Sequence, residues 1–146
     1  TLQAEPYHNA VHSFTIHFPK NFESIPIEDN GTIVHFRDPA DHANINLRSG
    51  DTGGESLRSL FAEVKQSVPT QVQNAKIHGD GETTIDSVPA RWIDISHTVD
   101  GTTVRAITYL VVKKRKFFLI FCTASENTFE GRREVFRDSA ESLQIQ

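Results

Sequence analysis

Three groups of side chains have types and spacings that could do chemistry. Cys122 is the only cysteine of the chain and ends the apolar run FFLIFC just ahead of an expected helix start. The thiolate is the reactive form of cysteine and the positive end of a helix stabilises it, so the position invites a nucleophile. The strand pattern argues the other way. By period-two alternation Cys122 shares a face with Phe118 and Ile120, whose apolar surroundings raise a thiol pKa, and a nucleophile also needs a base held beside it. No histidine is close in sequence, and only folding could bring His97 near. The expectation is a buried structural cysteine.

The second group is the histidines. His17 and His35 are expected to face the same way on the first two strands, with Asp38, Asp41 and His42 following in HFRDPADH. Imidazole and carboxylate together could hold zinc or another divalent ion. The spacing matches no compact ligand motif, and polar residues on a solvated strand face need no ligand to explain them. The third group is KKRK, Lys113, Lys114, Arg115 and Lys116, set between two apolar strands and read as a hairpin tip. It is the one concentrated basic patch of an acidic chain, so it is either a solvated turn or a surface for an acidic or phosphate-rich partner. HGDGE is read as a loop, because neither GxxxxGK[ST] nor GxGxxG precedes a helix. GxSxG and HExxH are absent too, so the motifs give no positive sign of an enzyme or a cofactor.

At 146 residues, 37% of them hydrophobic, the chain fits a single domain over 13–146 preceded by a loose polar arm at 1–12. A net charge of -4 offers nucleic acid or anionic lipid no global attraction. The longest apolar stretch, Phe117 to Cys122, is too short to cross a bilayer. With no methionine and Thr1 as its first residue, the chain reads as a mature or trimmed product, with an export signal or lipid anchor possible in a precursor. Asn30, Gly31 and Thr32 form a glycosylation sequon.

The elements that must position these groups follow from periodicity. Phe14, Ile16 and Phe18 alternate with polar residues as a short strand stopped by Pro19, and TIVHFR and ANINLR read as two more strands. Leu57, Leu60, Phe61, Val64 and Val68 fall at helical spacing, ended by Pro69. Strands are expected near 75–86, 89–98, 103–112 and 117–124, with Asp100-Gly101 a two-residue hairpin turn. Asn127 and Glu130 suggest a capping box, after which Phe129, Phe136, Ala140 and Leu143 lie on one helical stripe. The order predicts an α+β fold without βαβ units. VRAITYLVV and FFLIFC are apolar on both faces, so helices should cover both faces of the sheet.

In this order FTIHFPKNF, IVHFRD, ANINLR, a helix and TYLVVKKRKFFLIFCTASENTFEGRREVFRDSAESLQI resemble the PsbP-like domains, over roughly Phe14 to Ile145. The family includes the PsbP extrinsic subunit of photosystem II, bacterial exported proteins and lipoproteins, and a Ran-binding nuclear import factor. The resemblance implies an antiparallel sheet of about six or seven strands flanked by helices on both faces. It also implies a non-enzymatic accessory domain, often exported, that docks to other proteins. The residues themselves leave an alternative, a metal-ion or small-ligand binding domain using the strand-face histidines. It supplies no ligand residues, since no family binding motif stands at matching positions.

Overall fold

The computed structural model describes residues 1–29 and 31–146, so the sequon's Asn30 lies outside the described residues. Among the described residues ten strands and two α-helices follow one another as β1 Tyr7–Asn9, β2 Phe14–Ile16, β3 Glu23–Ser24, β4 Val34–Arg37, β5 Asn44–Asp51, α1 Leu57–Ser67, β6 Gln73–Ile85, β7 Val88–Val99, β8 Thr102–Lys113, β9 Lys116–Ser125, α2 Glu126–Glu141 and β10 Gln144–Ile145, with a 3-10 turn at Val68–Thr70 after α1. Seven strands form an antiparallel sheet in the order β3-β4-β5-β9-β8-β7-β6, and β1, β2 and β10 make a second, three-stranded sheet.

Three successive two-residue turns fold β6 through β9 into a meander, and each turn has positive φ at both of its residues. They are Asp86-Ser87, Asp100-Gly101 and Lys114-Arg115. Positive φ at both positions matches the right-handed twist of the flanking strands, which is why so short a connection closes cleanly. At Gly81 the indole of Trp92 lies across the backbone of β6. An added Cβ would come within 2.5 Å of that ring, so only glycine fits.

Alternation on the central strands divides the core in two. Ile107, Tyr109 and Val111 of β8 point with Phe118, Ile120 and Cys122 of β9 toward α2, where Phe129, Phe136 and Ala140 meet them. Ala106 and Leu110 of β8 point the other way with Ile93 and Ile95 of β7, toward Phe61 of α1. Helices thus cover both faces, as the doubly apolar strands require. α1 begins at the cap residue Ser56, whose Oγ accepts from the Ser59 N–H.

Four local expectations differ from the structure. HGDGE, read as a loop, runs extended inside β6 and pairs with β7, because glycine beside polar residues imitates a turn in sequence. The segment 1–12, read as a loose arm, lies along the domain: Tyr7–Asn9 pairs with β2, and Tyr7 packs edge-on against Phe18 and Phe36. Its alternation is too short to register as a strand, yet one aromatic anchors it. The cap of α2 is Ser125, two residues before the expected Asn127, because β9 stays paired through Ser125 opposite Val104 and turns directly into the helix. His17 and His35 do not share a strand face. His17 follows β2 of the small sheet, and His35 sits on β4 of the large one.

Candidate functional site

The HFRDPADH residues are committed to one another and to α2. Arg132 of α2 donates to Asp38 at 2.7 Å and to Asp41 at 2.8 Å, clamping the β4–β5 loop to the helix. The hydrogen bond from Arg132, and after it the Ala40 N–H, holds the Asp38 carboxyl below its ordinary value. His17 Nδ1 lies 2.9 Å from the Gln3 carbonyl, and His35 Nε2 lies 3.3 Å from Asn44 Oδ1. His42 is exposed at positive φ in the loop. Of the five residues considered as metal ligands, Asp38 and Asp41 are joined through Arg132 while His17 and His35 lie by different sheets, and no group of three or more potential ligands occurs among the described residues. One guanidinium nitrogen of Arg132, Nη2, bridges the two carboxylates through charge-assisted bonds, and sequence spacing cannot reveal a partner ninety residues away.

Cys122 has no exposed surface, and burial pushes its thiol far above the ordinary value. His97 is no base for it: Cys122 belongs to the α2 side of the sheet, and His97 lies with Ile95 and Ala106 on the α1 side.

KKRK divides by role. Lys114 and Arg115 are the exposed turn residues, with φ of 54° and 63°. Lys113 is largely withdrawn from solvent, its Nζ donating to Asp86 Oδ2 at 2.9 Å and to the Asp86 carbonyl at 3.1 Å. Asp86 in turn accepts from the Ile145 N–H, which joins the tip of one sheet to the last strand of the other. Lys116 opens β9 opposite Asp51 and shares a shallow cavity of about 280 Å³ with Val11 and His12.

A second feature is not expected from any motif. α1 covers β7 and β8 but leaves part of β9, β5 and β4 bare on its side, creating a groove of about 350 Å³. One wall is apolar, from Val64, Val68 and Val72, with Leu119 in the floor. Across the floor runs the register row Asn46, Phe121, Thr108 on the adjacent strands β5, β9 and β8. Thr108 is only 2% exposed. His97 stands at one end with Nδ1 buried and unpartnered among the described residues, and burial is the main cause that lowers its pKa. At the rim Arg48 meets Asp29 at 3.4 Å. The alternation of Asn44, Asn46 and Arg48 with apolar residues in ANINLR was the only sequence signal of this polar floor, and it reads equally as a solvated strand face.

No protein-family model matches the chain, and no curated protein matches it in sequence. Solved structures do match its shape. Cyanobacterial PsbP (CyanoP) of Synechocystis superposes with a TM-score of 0.77 at 12% identity, covering 100% of this chain and 93% of its own. The Ran-binding protein Mog1p of Saccharomyces cerevisiae gives 0.68 at 8% identity, with coverage of 99% and 96%. LpqN of Mycobacterium tuberculosis, involved in cell envelope biogenesis, gives 0.64 at 17% identity, with coverage of 99% and 91%. Sequences this distant can share backbone geometry without sharing a site, and nearly end-to-end coverage in all three leaves little of this chain outside the common architecture. This chain has the PsbP-like fold.

Proposed function

We propose that this chain is a non-enzymatic accessory domain that docks an acidic protein surface through the tip of the β8–β9 hairpin. The observation that carries the reading is the backbone at Lys114 and Arg115. Both residues hold positive φ, a region that favours glycine or a short Asx side chain and costs other residues on the order of 1 kcal/mol each. The neighbouring turn meets the same demand with Asp100-Gly101. Two long cations held where Asn-Gly would be easier are a local cost to folding that makes sense if the charges serve a partner. Val11, 86% exposed, shares the shallow cavity with Lys116, so an apolar knob lies at the base of the basic hairpin tip. Interfaces combine such elements: charge steers the encounter and a buried apolar anchor holds it.

The fold supports binding over catalysis, since one protein that shares it is named for binding Ran. LpqN, involved in cell envelope biogenesis, supports reading this domain as exported, with a lipid anchor possible in a precursor. The test compares wild type with the double variant K114N/R115G as bait in pull-downs over a salt series. Wild type should retain an acidic protein at low salt and release it as salt rises, and the variant should fold at least as stably yet fail to retain it. Equal retention by both proteins would remove the tip from the interface.

A further inference from the structure

The groove on the α1 side of the sheet uses residues separate from the docking tip, and its chemistry is selective. Phe121 presents an apolar surface flanked in register by the Asn46 amide on one side and the Thr108 hydroxyl on the other. Two interstrand spacings, about 10 Å, separate those polar residues. Neither side chain hydrogen-bonds within the protein among the described residues, although Thr108 is almost wholly withdrawn from solvent. From these observations we infer that the groove is a binding site for an uncharged small molecule with a flat apolar centre and a hydrogen-bonding group at each end. The centre lies over Phe121 against Val68, and the ends meet Asn46 and Thr108.

Other ligand classes fit less well. A pure hydrocarbon would leave the floor amide and hydroxyl desolvated without partners, which a site built to hydrogen-bond rejects. An anion would find one guanidinium, Arg48, already beside Asp29 at the rim. A cation would find that same carboxylate already taken. The volume of about 350 Å³ lies at the lower end of the range for small-molecule sites. His97, with its unpartnered Nδ1, adds a polar group at the end of the same groove.

The probe is 4-(hydroxymethyl)benzamide, followed by amide chemical shifts of the isotope-labelled protein, with 4-(hydroxymethyl)benzoate and 4-ethyltoluene as charged and apolar analogues of similar shape. The benzamide should titrate saturably, with a dissociation constant on the order of millimolar for so small a molecule. Its shifts should concentrate at Asn46, Thr108 and Phe121, and both analogues should bind at least about tenfold more weakly. T108V and N46L should each weaken the benzamide at least about fivefold. N46L alters a partly exposed side chain and keeps the test available if T108V does not fold. The inference is overturned by shifts scattered over the surface, by no saturable shift, by either analogue binding as well as the benzamide, or by unchanged affinity in N46L.

Discussion

Cys122 and Asp38 show how a single side chain with apparent chemistry becomes structural. The thiol of Cys122 is sealed between Ile45 and Ile107, its register partners, so a thiol reagent should label the native protein slowly and the unfolded protein at the rate of a free thiol. Cys122→Ser should lower stability by about 1–3 kcal/mol in denaturant melts, the cost of burying a hydroxyl without an assured partner. Native labelling as fast as that of a free thiol would contradict the packing. Asp38 has a folded pKa held below its unfolded value by Arg132. The stabilisation this represents is present above the unfolded value near 3.8 and is lost as pH falls through the folded one. Arg132→Met should cost about 2 kcal/mol at neutral pH, between the values for exposed and buried pairs. Thermal melts below pH 4 should then show a smaller gap between variant and wild type, and a constant gap at every pH would assign the loss to packing of Arg132 over Phe22.

At the scale of the element, the β8–β9 hairpin separates charge that serves folding from charge that does not. The side chains of Lys114 and Arg115 form no ion pair among the described residues, and relieving their positive φ with K114N/R115G should raise stability by about 1 kcal/mol or more. Lys113→Glu should do the reverse. It removes a largely buried cation from Asp86 and sets two carboxylates together, and a loss of about 1–2 kcal/mol in equilibrium unfolding is expected. If the two variants shift the midpoint alike, the division of KKRK into a pinned base and a free tip is wrong. The same hairpin lends the groove its floor, since Thr108 and Phe121 oppose one another across β8 and β9.

Across the whole molecule, the central strands carry both cores at once: β8 alone supplies Leu110 to the α1 side and Val111 to the α2 side. Loosening one layer should therefore loosen the other. Phe61→Ala and Phe136→Ala, on opposite faces, should each lower stability by about 3–4 kcal/mol while leaving one cooperative transition by circular dichroism and tryptophan fluorescence alike. Separate midpoints for the two probes would show that the layers unfold independently. On the α2 side the helix is also held to the sheet by ion pairs. Asp94, buried on β7, accepts from Arg105 of β8 and from Arg133 of α2, each at 2.9 Å.

The sequence by itself determined the local grammar of this protein. Period-two alternation placed the four long strands of the meander, helical spacing placed Phe61, Phe129 and Phe136 on inward faces, and the apolar character of both faces of VRAITYLVV required two covering layers. These signals are legible because each depends on neighbours a few residues apart. Only the tertiary structure decided what distant residues do to one another. It brought Arg132 to Asp38 and Asp41, drew Lys113 onto Asp86, and put His97 and Cys122 on opposite faces of one sheet. It also made a groove where α1 stops short of β9 and β5. Such outcomes depend on strand order and on where a helix crosses the sheet, which come from packing whole faces together and leave no periodic trace in the chain.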